Sequence, residues 1–490
     1  MIFECPIRNN AVSYPDRTFL IDSRRSWNWL EFDRLLCELS VTLNQRGIKD
    51  GDRFAIIAEN SVEYAALLFA AYRIGAVAVP LNLRRSRTDW DSIIGQANCR
   101  LIVYSETYAE YAQSCGIKSI DISEIETGSN ERAESETITI EQNNEHLVIS
   151  TSGSEGKPKG VILTTGNLFC NALGSNENIL LQPQDCWLAS LPFYHVGGVG
   201  ILYRAAFAGA SVSLIDRFDP VETNRIISDG TVTHISVVST MLQKLIEIRQ
   251  NKPFPETLKC ILLGGGSLPH QLISDIIEMK APVLTTYGLT EAASQVTTLS
   301  PDDPPEKRST AGKPLKWSEI QIVDEHGRPL SEGQTGRIAI RGRVVFSGYT
   351  GETETRTRKL DDWFVTGDVG LIDSDGYLVV RGRADDMFIS GGENVFPADI
   401  ERVALQFSAV SDAAVISVDD ATWGRRPVLF VCGMDKRGIN MKELRAHLEI
   451  NLSRILLPDM IIEIEQIPRT SIDKPDKTGL LDIYRAIERD

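Results

Sequence analysis

Short apolar runs rich in β-branched residues, RFAIIA (53–58), RLIVYS (100–105) and HISVVS (234–239), recur through the first part of the chain. They read as buried strands. They alternate with helix-like stretches such as SVEYAALLFAAYRIGA (61–76). That alternation predicts an α/β fold of βα units around largely parallel sheets. From about residue 315 the pattern shifts to EIQIVDEHGRPL, GRIAIRG and GYLVVRGR, short strands with glycine turns that predict β-hairpins and a barrel-like part. A small α+β unit follows, with PADIERVALQF as a helix and AAVISVDD and PVLFVCG as strands. Charge and glycine break the rhythm at GRADDM (382–387), which places a hinge there. The expected organisation is a large N-terminal domain, 1–384, of βα-layered sheets plus the hairpin part, and a small C-terminal domain, 385–490. The polar, acidic stretch 121–145 reads as a surface excursion.

With 490 residues, 42% of them hydrophobic, the chain can bury a large core. Its net charge of -16 argues against a general nucleic-acid binder, because phosphate backbones are held by clustered basic residues. The eight cysteines form no CxxC pair and no metal-ligand spacing, which suits reduced thiols in the cytoplasm. No apolar run approaches the length of a membrane span, and the N-terminus lacks an export leader, so no integral membrane association is expected.

STSGSEGKPKG (150–160) adds chemistry to this outline. Glycines let backbone N–H groups approach an anion, and hydroxyls and lysines add donors and charge, so the stretch suits a polyphosphate. It is not a Walker loop, since Lys157 precedes Pro158 and Lys159 precedes Gly160. A flexible surface loop of the same composition is the plain alternative. LLGGGSLP (262–269) sets Gly264, Gly265 and Gly266 directly after an apolar strand, and TTYGLTEAASQ (285–295) offers Tyr287, Gly288, Thr290 and Glu291. Ligands of α/β sheets sit at the carboxyl ends of strands, so these glycines can wall a nucleotide pocket with Tyr287 as a stacking face. Glu291 suits magnesium, a hard cation that takes carboxylate and phosphate oxygen. Turn glycines and a solvated glutamate are the bland readings.

Taken in order, STSGSEGKPKG, YGLTE, FVTGDVG (364–370), GRADDMFISGGENVFPADIE (382–401) and PRTSIDK (468–474) resemble the motifs of the adenylate-forming superfamily of acyl-CoA synthetases, luciferases and adenylation domains. The resemblance spans nearly the whole chain. It implies that a carboxylic acid attacks the α-phosphate of ATP to give acyl-AMP and pyrophosphate, after which a thiol, such as that of coenzyme A, displaces AMP. It also implies that the small domain rotates between the steps. Carried onto this chain, Thr151, Ser152, Gly153, Ser154, Gly156 and Lys159 contact the phosphates, and Thr290 and Glu291 the α-phosphate and Mg2+. Asp368 and Arg383 hold the ribose hydroxyls, Lys474 is the mobile catalytic lysine, and Asp385 is the hinge. The partners implied are small molecules: a carboxylic acid, ATP and coenzyme A. Oligomeric state is left open, a homodimer included.

Two positions depart from the family pattern. Glu155 puts a carboxylate where Thr or Ser is usual, and Asp473 replaces the usual glycine before Lys474, leaving Lys477 as a rival. For the acid, LPFYHVGGVGILYRAAFAGASV (191–212), SQVTTLSP and the third glycine at 266 look most like the o-succinylbenzoate-CoA ligases of menaquinone biosynthesis. On that resemblance His195 lies at the wall between acid and thiol, Gly266 opens a slot for an aromatic ring, and Arg204 answers the unreacted carboxylate. Burying that second carboxylate without a cation is unfavourable. A core histidine and a surface arginine are the alternatives for His195 and Arg204. Another aryl or fatty acid, or transfer to a carrier protein, stays open at this level.

Overall fold

Asn28, Ser61, Ser86 and Thr164 each begin a helix by accepting a backbone N–H from its first turn, which satisfies a donor that the helix itself leaves free. The helix opened by Ser61, Val62–Arg73, is buried around most of its circumference and lies in the largest apolar cluster with Phe19, Trp29 and Phe32. Apolar residues on every face of a helix mark it as internal. The computed structural model describes residues 2–124, 138–152, 158–250, 252–265, 270–351, 359–360, 362–434, 438–469 and 475–487.

Among the described residues the strands form two large sheets, one of seven strands and one of nine. In the first, Arg53–Ile57 lies parallel to Val77–Pro80 and Leu101–Tyr104, and the hairpin Glu145–Ser152 with Pro158–Thr164 extends it. In the second, Ser211–Leu214, Cys186–Ala189, His234–Val238, Cys260–Gly264 and Val283–Leu289 run parallel in that spatial order. The parallel layers and their helices match the α/β expectation.

Ser318–Val323, Gly336–Gly342, Trp363–Ile372 and Leu378–Arg383 form the antiparallel part expected beyond residue 315. The chain then crosses the 3-10 turn Ala384–Asp386 into a separate sheet, in which Val410–Asp420 and Gly424–Gly433 pair antiparallel and the helix Pro397–Ala404 packs on their core. Arg381 reaches across the turn to Asp399 at 3.0 Å.

The stretch 121–145 is less of an excursion than its polarity suggests. Ile122 and Ile140 are buried, and Thr139–Glu141 pairs with Ile2–Glu4. Two apolar side chains in register with the core outweigh the polar ones beside them; residues 125–137 lie outside the described residues.

Candidate active site

The serine- and glycine-rich stretch joins two antiparallel strands rather than a strand and a helix. Register sets Thr151 opposite Lys159 and Ser152 opposite Pro158. The outer partner of Pro158–Thr164 is the short strand Gly348–Tyr349, with Val161 opposite Tyr349. This pairing brings Lys159 Nζ to 5.3 Å from the centre of the Tyr349 ring, and the Tyr349 hydroxyl donates to Glu291 Oε1 at 2.8 Å. Lys159, Tyr349 and Glu291 thus form one connected group. Tyr349 escaped the sequence reading because only a pairing between distant segments places it there.

The other end of YGLTE meets a second group. The Tyr287 hydroxyl donates to Asp368 Oδ2 at 2.7 Å, and Arg383 Nη1 donates to Asp368 Oδ1 at 3.3 Å. Both oxygens of Asp368 are therefore engaged, and Asp368 lies directly across from Arg383 on the paired strands. Burial, followed by the Asp368 charge, pushes the Tyr287 hydroxyl pKa well up, so it stays a donor. Tyr287 is 8% exposed and belongs to the main core, so its ring is chiefly a buried support for Asp368. The expected stacking role is confined to what little of the ring remains open. A Cβ at Gly367 would fall 2.5 Å from Arg383 Nη2, so glycine there admits the guanidinium. At Gly288 a Cβ would lie 1.6 Å from the Ser294 carbonyl, so the glycine of YGLTE is demanded by backbone contact at a bulge.

Gly264 pairs with Val238 on one side and with Thr286 on the other, which sets the glycine run beside Tyr287. A Cβ at Gly264 would meet only Thr286 Cγ2, at 3.6 Å, and Gly265 takes φ +85°. His195 sits at the N-cap position of Val196–Ala208 with no capping bond from its ring. Burial, with the charges of Arg84 and Arg85 adding, lowers its pKa to about 4, so the ring is neutral near pH 7.

Arg204, on the same helix, is 1% exposed, which rules out the surface reading. Its guanidinium lies 4.7 Å from the centre of the Trp187 ring, and none of its three nitrogens has a hydrogen-bond partner among the described residues. Trp187, His234 and Cys260 stand in one cross-strand row beneath it, and His234 Nε2 is likewise buried without a partner among the described residues. Gly200, one turn earlier, makes the space: a Cβ there would come within 2.9 Å of Arg204 Nη1.

Gly153, Ser154, Gly156, Gly266 and Lys474 lie outside the described residues, as does the side chain of Ser152. Lys477, the rival to Lys474, pairs with Asp386 at 2.7 Å. Asp385 is exposed and lies 3.5 Å from Arg383 Nη2. Among the described residues no group of three or more His, Cys, Asp or Glu side chains gathers to hold a metal ion, and no helix is long and apolar enough to cross a membrane.

The AMP-binding enzyme family profile matches residues 7–350, and that of the AMP-binding enzyme C-terminal domain matches residues 399–474. The chain is 34% identical over 469 residues to a 2-succinylbenzoate–CoA ligase of Geobacillus sp. (strain WCH70), covering 96% of this chain and 95% of that one. It is 35% identical over 476 residues to a ligase of the same name from Bacillus cytotoxicus, covering 96% of each. Among solved structures, it superposes on the o-succinylbenzoate CoA synthetase (MenE) of Bacillus subtilis in complex with the acyl-adenylate intermediate OSB-AMP with a TM-score of 0.90 and 30% identity, over 98% of both chains. The same synthetase with ATP and magnesium ion gives a TM-score of 0.89 at 30% identity, covering 98% of this chain and all of that one. Matches over both parts of the chain, and two polar groups gathered at the ends of YGLTE, lead to one conclusion: the chain belongs to the AMP-binding enzyme family, the adenylate-forming superfamily.

Proposed function

We propose that the acid taken by this AMP-forming acid–CoA ligase is o-succinylbenzoate, converted to o-succinylbenzoyl-CoA by way of its acyl-adenylate. The observation that carries this reading is Arg204: a cation shut away from water, its three nitrogens without a hydrogen-bond partner among the described residues, calls for an anion. The Arg204 row at Cys260 lies four residues before Gly264, about 13 Å along the strand at ~3.3 Å per residue. Arginine spans part of that length. A dicarboxylate with a ring between its two ends suits the rest, whereas a fatty acid or benzoate brings no second charge for Arg204. The names of the relatives support the same acid.

In this reading the acid lies between the helix Val196–Ala208 and the strand Cys260–Gly264, its ring along Gly264 to Gly266. Thr151, Ser152, Gly153, Ser154, Gly156 and Lys159 take the phosphates of ATP, and Asp368, oriented by Tyr287, shares the ribose hydroxyls with Arg383. Magnesium fits the donor set, since a single carboxylate, Glu291, leaves most of a hard cation's positions to phosphate oxygen and water. When bound, it would offset phosphate charge during adenylation. Thr290 and Lys474 add donors where charge grows on the α-phosphate as the acid's carboxylate oxygen attacks and pyrophosphate leaves. The thiol of coenzyme A then attacks the acyl carbon and AMP departs, with neutral His195 lining its approach. The domain boundary falls at 384/385, and rotation about Asp385 separates the two steps. A cytoplasmic location and a homodimer are compatible with this scheme.

The test is a competition. Incubating the protein with ATP, Mg2+, coenzyme A and an equimolar mixture of o-succinylbenzoate, benzoate, coumarate and octanoate, then weighing the thioesters by mass spectrometry, should return mainly the dicarboxylate product. A preference for octanoate or benzoate would sink the assignment. Pyrophosphate release that leaves acyl-AMP unconsumed when coenzyme A is added would point to a carrier protein as the acceptor instead.

A further inference from the structure

Asn167 and Asn171 stand one turn apart on the helix Thr165–Ile179 and are only 6% and 3% exposed. A buried amide needs partners, and both find them on backbone far from their own helix. Asn171 Nδ2 donates to the carbonyls of Ala292 at 3.1 Å and Gln295 at 2.6 Å. Asn167 Nδ2 donates to the carbonyls of Arg343 and Val345, each at 2.8 Å, while its Oδ1 accepts the Thr164 N–H to close the capping box.

The two carbonyls held by Asn171 bracket Ala293 and Ser294, which take φ +55° and +119°. Such a conformation is unfavourable for residues with a side chain. It follows directly on the turn Thr290–Ala292, so it sets the path of the backbone that carries Glu291. The segment held by Asn167 leads into Phe346, whose N–H donates to the Glu291 carbonyl at 2.8 Å, and on to Tyr349, whose hydroxyl meets the Glu291 carboxylate. One helix therefore grips both the turn bearing Glu291 and the strand that touches it.

We propose that Asn171 and Asn167 are positioning residues for Glu291, holding its carboxylate in place for the magnesium-bound phosphates of ATP. The proposal rests on the role given to Glu291 above. Its consequence is that these amides act on the metal-dependent half of the reaction and leave the other half alone.

Calorimetric titration with ATP, with and without Mg2+, reads this without turnover. Asn171→Ala should bind metal-free ATP like wild type but lose about tenfold or more of the affinity gained on adding magnesium, the scale expected for lost buried hydrogen bonds. Amide exchange over 290–296 should quicken, and thioester formation from pre-made acyl-AMP should keep its rate. Glycine accepts the left-handed turn without strain, so Asn171→Ala combined with Ala293→Gly should regain most of the magnesium effect. Asn171→Ser keeps a donor and serves if alanine prevents folding; it should show a smaller loss of the same kind. Wild-type magnesium dependence in the Asn171 variants, or equal loss of both half-reactions with no recovery from glycine, overturns the proposal. Glu291→Gln is titrated alongside. If it keeps the magnesium gain, the role of Glu291 fails and this proposal with it; if it loses the gain while Asn171→Ala keeps it, positioning alone fails.

Discussion

Arg204→Met separates two effects that a single arginine usually confounds. Methionine preserves most of the buried volume and removes the charge. That charge has no hydrogen-bond partner among the described residues, and burial lowers its pKa to about 10. The lowering corresponds to about 3 kcal/mol against the charged form. For a base with a lowered folded-state pKa the penalty is fully present at every pH below about 10, so it applies unchanged across the neutral range. The contact with Trp187 returns about 1–2 kcal/mol of it. Removing the charge should therefore leave stability unchanged or raise it by about 1–2 kcal/mol, as replacement of buried charges often does.

Binding of the dicarboxylate should respond in the opposite direction. Loss of the cation facing a desolvated carboxylate costs about 2–5 kcal/mol, or roughly 30- to 4,000-fold in affinity, with water access recovering part of it. Initial rates of pyrophosphate release would give KM for o-succinylbenzoate and for ATP, and urea unfolding would give stability. The expected result is a large rise in KM for the acid, little change for ATP and a protein at least as stable as wild type. Unchanged dicarboxylate kinetics in a destabilised protein would refute the reasoning, because Arg204 would then be a packing residue.

Lys474→Ala should slow adenylation by about 10²–10³ or more while sparing thioester formation from acyl-AMP, read as two separate half-reactions. Lys477→Ala, which breaks the pair with Asp386, should keep most of both rates; the reverse pattern would move the catalytic role to Lys477. Asp385→Pro fixes φ near -65° at the junction and should permit adenylate formation but block thioester formation, as seen by acyl-AMP accumulating on mass spectrometry. Gly264→Val should raise KM for aryl acids more than for short aliphatic ones, since the glycine's open side faces only Thr286 Cγ2; equal effects would remove the ring from that wall. Burial raises the pKa of Glu401 to about 7, with Asp386 and Asp412 adding and the Val415 N–H and Lys477 opposing. Between about pH 4.5 and 7 the folded chain keeps a proton that the unfolded chain releases, so stability should fall by about 3 kcal/mol as pH rises through that window. Glu401→Gln should flatten that slope in urea unfolding at pH 5 and 8.

What was legible in the sequence is what local chemistry dictates. Strands, glycine turns and the sheet change at 384–386 follow from patterns within a few residues, whereas Asp368 and Arg383 are named only through the family resemblance, and the structure brings the two together. Tyr349, Gly367, Asn167 and Asn171 carry no such mark: each matters through a partner brought close by a sheet pairing or a helix face, and a lone tyrosine or asparagine in a line of text has no direction. Arg204 shows the limit most sharply. Val196–Ala208 is buried on nearly every side, so its apolar periodicity contains no polar face from which to judge where a charge belongs. The resemblance offers Arg204 as the cation for the acid, but a surface arginine stands beside that reading, because unpaired buried charge is unfavourable. Only the packed structure, with Gly200 clearing space and Trp187 beneath, shows that this chain keeps a cation where water does not reach, and a cation so placed is informative because folding alone gives no reason to bury it.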